Sequence, residues 1–137
     1  MSLLEREFDA ALTAWLARQA AAEERLTAFA FREGQPAIKL PAPTSQTALR
    51  AWIVATVADP EVAAFLEGLG DEGRTMAELA AEGPLGLEPG DRVALAARVG
   101  VLAAAGVVAR DLEFDRVALT GLGRAALALA AVAEPVR

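Results

Sequence analysis

The run from Pro89 to Ala105 constrains this chain most, because as a helix it is apolar on every side. Projected at about 100° per residue, Leu95, Val99 and Leu102 share one side and predict the face that packs on the core. Gly90, Val93, Ala97, Gly100, Val101 and Ala104 fall opposite. A helix that is apolar all round is normally covered on both sides. The second face therefore predicts a contact with another helix, another copy or another protein. A helix that reads DNA bases would need Arg, Lys, Asn or Gln there, and that face has none.

Local signals divide the rest of the chain. A long first helix is predicted from Leu3 to Arg32, ended by Gly34 and Pro36. Its apolar positions Phe8, Leu12, Trp15, Ala22, Leu26 and Phe29 follow a 3-4 spacing broken only by Gln19, like a coiled-coil seam. Such a stripe either wraps the chain's own globular part or pairs with a second copy. Pro36, Pro41 and Pro43 then hold residues 34–46 extended. That stretch reads as a connector, or as a segment lying in a partner's groove.

Thr44 or Ser45 can cap a helix running to about Ala58. Asp59-Pro60-Glu61 starts another with an acidic N-cap and a proline at the first turn, and Gly70 ends it. Thr75-Met76-Ala77-Glu78 is a capping box before a short helix to about Glu82. Pro89 opens the long apolar helix and Gly106 closes it with a left-handed cap. Val107-Val108 and Val117 to Leu119 alternate as two strands around a tip at 111–115. Thr120 caps a last helix to about Ala133, stopped by Pro135.

Composition narrows the chemistry. The 137 residues contain no cysteine, histidine or tyrosine. This removes disulfides, thiolate catalysis, the commonest general base and most metal ligands. Pairs such as Glu23-Glu24 and Asp71-Glu72 read as solvated surface, so the chain is expected to be no enzyme and to carry no cofactor or metal. No run approaches the roughly 18 to 20 apolar residues of a membrane span. The acidic start MSLLEREFDAAL lacks the basic region of an export signal. A cytoplasmic protein without membrane contact is the expectation.

The net charge is −6, and it is unevenly spread. The first 58 residues balance at six acids and six bases, whereas Asp59 to Glu134 holds thirteen acids against six arginines. Phosphate neutralisation supplies nearly all non-specific DNA affinity, so this charge disfavours a nucleic-acid partner.

The order of elements from Asp59 to Ala133, with the local wording of residues 75–127, resembles the winged-helix superfamily. Thr75-x-x-Glu78-Leu79-Ala80 looks like its second helix. Leu95 to Leu102, followed by Gly106-Val107-Val108-x-Arg110, looks like its third helix entering the wing. Leu119-Thr120-x-x-Gly123-Arg124 looks like the exit into the last helix. The pieces are similar to those of MarR-type and arsenic-sensing repressors, and equally to the dimerisation domain of small-molecule O-methyltransferases. The resemblance covers about 75 residues and implies a mainly α fold: a winged helix-turn-helix with a two-stranded β wing, preceded by a long N-terminal helix. Residues 1–58 would form a helical extension and 59–137 the winged-helix domain. In a repressor of this kind Arg92, Arg98, Arg110 and Arg116 would approach DNA, but Asp91, Asp111 and Asp115 adjoin three of them. The arsenic-sensing type uses Cys or His ligands, absent here. No glycine-rich cofactor-binding domain follows, so methyl transfer is not expected.

The leading expectation is a non-catalytic module acting through protein–protein contacts, as a homodimer or an accessory subunit. Its interface candidates are Phe8, Leu12, Trp15, Leu26, Phe29, Val93, Ala97, Gly100 and Ala104. The competitor is a small dimeric transcriptional regulator that binds DNA. A third reading is a ligand sensor whose apolar cleft is lined by Trp15, Phe29, Phe31, Trp52 and Phe65.

Overall fold

The computed structural model describes the backbone of residues 2–32 and 46–133, and the side chains of 2–21 and 46–132. Among the described residues the chain is mainly helical, with one small antiparallel sheet. In order the elements are α1 (Leu3–Arg32), α2 (Gln46–Val57), α3 (Pro60–Leu69), β1 (Arg74–Thr75), α4 (Met76–Glu82), α5 (Arg92–Ala104), β2 (Val108–Asp111), β3 (Arg116–Leu119) and α6 (Gly121–Ala133).

Caps explain most of the boundaries. The Asp59 carboxylate accepts from the Glu61 amide at 2.9 Å, and Pro60 follows with its φ already set for a helix. Thr75 Oγ1 accepts from the Glu78 amide at 3.2 Å and donates to the Glu78 carboxylate at 3.0 Å. Thr120 Oγ1 accepts from the Gly123 amide at 3.0 Å and starts α6. The Thr44 and Ser45 caps proposed for α2, and the extended connector, lie outside the described residues.

One boundary differs from expectation. α5 begins at Arg92, three residues after Pro89, because Asp91 is its N-cap and accepts from the Ala94 amide at 3.0 Å. Gly90 adopts a left-handed φ of 88° in the preceding turn, so it is not part of the helix's outer face. A side-chain acceptor satisfies a free amide, which a proline does not do.

The sheet has three strands, one more than the hairpin alone, in the order β1-β3-β2. Within the hairpin Val108 lies opposite Leu119 and Asp111 opposite Arg116. Arg74 and Thr75 add to the other edge of β3, opposite Val117 and Arg116. The Met76 amide extends that pairing by donating to the Asp115 carbonyl at 2.9 Å.

A single hydrophobic cluster holds these elements together. It takes Phe8 and Leu12 from α1, Leu49, Ile53 and Val57 from α2, Leu66 from α3, and Leu79 from α4. Leu95, Val99 and Leu102 of α5, Val117 of β3, and Leu122 and Ala126 of α6 complete its centre. The inner face of α5 is therefore the one its periodicity indicates. The core does not divide at residue 58, since α1 packs against α6 and α2 against both α3 and α6.

Phe8 and Leu12 are 0% exposed within their own chain. They are core residues, so neither offers a free surface to a partner. Fully burying such a side chain contributes about 1.5–3 kcal/mol, which seats the first half of α1 on the rest of the molecule.

Candidate interaction surface

α5 is held by its inner face and leaves its outer face open. Val93 is 83% exposed and Val101 53%, and Ala97, Gly100 and Ala104 are exposed beside them. Covering by the chain's own first helix, one of the expectations, does not occur among the described residues. α1 runs instead along α6 and α2, and its Trp15 packs against Gly106 at the end of α5.

α2 borders this open face. Its Leu49, Ile53 and Val57 point inward, which turns Trp52 outward at 39% exposure. Two recesses flank Trp52 and Val101. The larger, about 410 Å³, is lined by Ala48, Leu49, Trp52, Val101, Ala104 and Ala105. The smaller, about 110 Å³, lies between Trp52, Thr56, Val62, Leu85, Arg98, Val101 and Leu102. Together they form an apolar groove between α2 and α5 with Arg98 at one end.

Two of the four candidate DNA-contacting arginines have partners inside the chain. Arg110 Nη2 donates to the Asp115 carboxylate at 2.7 Å, across the hairpin rather than to its neighbour Asp111. Arg116 Nη2 donates to the Gly73 carbonyl at 3.1 Å. Arg92 and Arg98 are exposed and have no ion-pair partner among the described residues. Arg92 opens α5 beside its N-cap Asp91, and Arg98 lines the smaller recess between α2 and α5.

A third recess, about 480 Å³, opens between α3 and α4, with Glu61, Arg74 and Glu82 among its lining residues. Its charges are largely matched. Arg74 donates to Glu82 at 2.8 Å, and its Nε lies 3.6 Å from Glu78. The hydrogen bond to Glu82 raises the guanidinium further above its ordinary range, and the same bond lowers the Glu82 carboxyl.

The β2–β3 tip is the feature that the residue pattern did not suggest. Between its acids it exposes two large apolar side chains, Leu112 at 79% and Phe114 at 64%. Asp111 Oδ1 accepts from the amides of Glu113 at 3.0 Å and Phe114 at 3.3 Å, and this turn fixes the tip. The available signal was two large apolar residues inside an acidic turn of five, too short to fold back on a core.

The aromatic residues do not share one cleft. Phe65 is in the core, Trp15 is half-buried against Gly106, and Trp52 is in the α2–α5 groove. The side chains of Leu26, Phe29 and Phe31 lie outside the described residues. Among the described residues no group of three or more carboxylates is placed to hold a metal ion, and no helix is long and apolar enough to cross a membrane. Comparison with protein-family models, curated proteins and solved structures finds no match.

Proposed function

We propose that this chain is a non-catalytic winged-helix protein that acts through protein–protein contacts, as a homodimer or as an accessory subunit. The observation that carries the reading is the open apolar face of α5, bordered by Trp52 and free of base-reading side chains. At roughly 25 cal/mol per Å² of apolar surface, covering three turns of that face would contribute several kcal/mol before ordering costs. The order helix, strand, helix, helix, hairpin, helix, with β1 pairing on β3, supports the winged-helix assignment of residues 59–137. A cytoplasmic location belongs to the same reading.

A photoreactive side chain at position 97 tests it in cells that express the protein. The expected product is a cross-link to polypeptide. A cross-link to nucleic acid, or none, overturns the reading.

One observation favours a second reading, a small DNA-binding regulator: Arg92 and Arg98 are exposed on the open helix and have no ion-pair partner among the described residues. That reading expects a duplex complex whose affinity falls steeply with salt. A gel-shift at low salt that shows no complex at tens of micromolar protein removes it.

A further inference from the structure

A segment whose chemistry matches the groove is exposed elsewhere on this same chain. The hairpin tip presents Leu112 and Phe114 to solvent with the Glu113 carboxylate between them. The groove presents Trp52 and Val101 to solvent with the Arg98 guanidinium at its end. Neither Glu113 nor Arg98 has an ion-pair partner among the described residues.

We propose that the tip of one copy docks in the α2–α5 groove of a second copy, placing Phe114 and Leu112 against Trp52 and Val101 and Glu113 against Arg98. This rests on the reading of α5 as a protein-contact face and names the partner. Three observations support it. Large apolar side chains on a solvent-exposed turn cost nothing to desolvate and gain from burial. The tip is preorganised by the Asp111 turn and by the Arg110–Asp115 ion pair across the hairpin, so docking orders little new structure. The charges are complementary: an acidic apolar tip meets an apolar groove ending in a cation, whereas Asp111, Glu113 and Asp115 would be repelled by nucleic acid or an anionic membrane. The contact joins two different patches, so it forms a reciprocal pair or a ring where the geometry closes and an open filament where it does not.

The test is light scattering on the full chain across a concentration series, with every variant checked for unchanged helix content and thermal midpoint. All the substituted positions are exposed. The wild type is expected to self-associate, and Phe114→Ser and Val101→Glu should each weaken association by about tenfold or more, equivalent to about 1.4 kcal/mol. Arg98→Glu and Glu113→Arg should each weaken it, and the double variant should recover most of the loss. A wild type that stays monomeric throughout overturns the proposal, as does a dimer indifferent to Phe114→Ser and Val101→Glu, or a double variant without recovery. If the chain is monomeric while position 97 cross-links to a different polypeptide, the second-copy assignment falls and the protein-contact reading stands. If it is monomeric and position 97 yields no cross-link, both fall.

Discussion

The Trp15 indole lies so close to Gly106 that a Cβ at position 106 would sit 2.5 Å from the ring carbon Cε2. Gly106 also has a φ of 83°, a conformation that L side chains rarely adopt. The two constraints coincide because the turn that ends α5 is also the seat of α1. Gly106→Ala is therefore expected to destabilise the fold by about 2–5 kcal/mol, combining backbone strain and overpacking. Adding Trp15→Leu should relieve the overlap and leave the backbone part. Urea unfolding of the single and double variants measures both.

Phe8 tests whether α1 belongs to the core or only leans on it. Phe8→Ala should cost about 3–5 kcal/mol, the range for a large aromatic removed from a packed interior. The loss should appear in one cooperative transition that includes the sheet. A separate early transition confined to helix signal would show α1 detaching by itself.

Asp91 sets the start of α5. Asp91→Ala should destabilise by about 1 kcal/mol, and Asp91→Asn should retain most of that because its side-chain oxygen still accepts the Ala94 amide. Thermal or denaturant unfolding of the two variants distinguishes a cap from a surface charge.

The Arg74–Glu82 bond makes stability depend on pH in one direction. Glu82 is lowered from an ordinary value of about 4.5 in the folded chain. Its contribution is therefore complete above that value and is lost as the pH falls through the lower folded value. Glu82→Gln should flatten the acid side of the stability profile and leave its neutral side lower by a small amount, since the pair is exposed to solvent. Unfolding midpoints of both proteins from neutral pH to below pH 4 provide the comparison.

Local chemistry was the legible part of this sequence. Asp59-Pro60-Glu61, the Thr75 box and Thr120 are short-range signals, and each caps a helix where its residues stand. The inward trio Leu95, Val99 and Leu102 follows from periodicity alone. Long-range relationships were not legible. Arg74-Thr75 has no strand pattern, and becomes β1 only because the hairpin offers an open edge beside it. The seam of α1 looked alike whether it met a second copy or its own chain, and only the docking on α6 and α2 decides for Phe8 and Leu12. Adjacent acids hid the true partners of Arg110 and Arg116, because sheet pairing brings each arginine to a group that sequence order separates from it: the Asp115 carboxylate and the Gly73 carbonyl.

The packing of α1 on α6 joins the two ends of the described chain through one interior. During synthesis the first helix leaves the ribosome early, yet its seat is completed only after residues near Leu122 and Ala126 have emerged. Until then α1 has α2 but not α6 to pack on, and premature release of the polypeptide would leave the apolar face of that helix only partly covered.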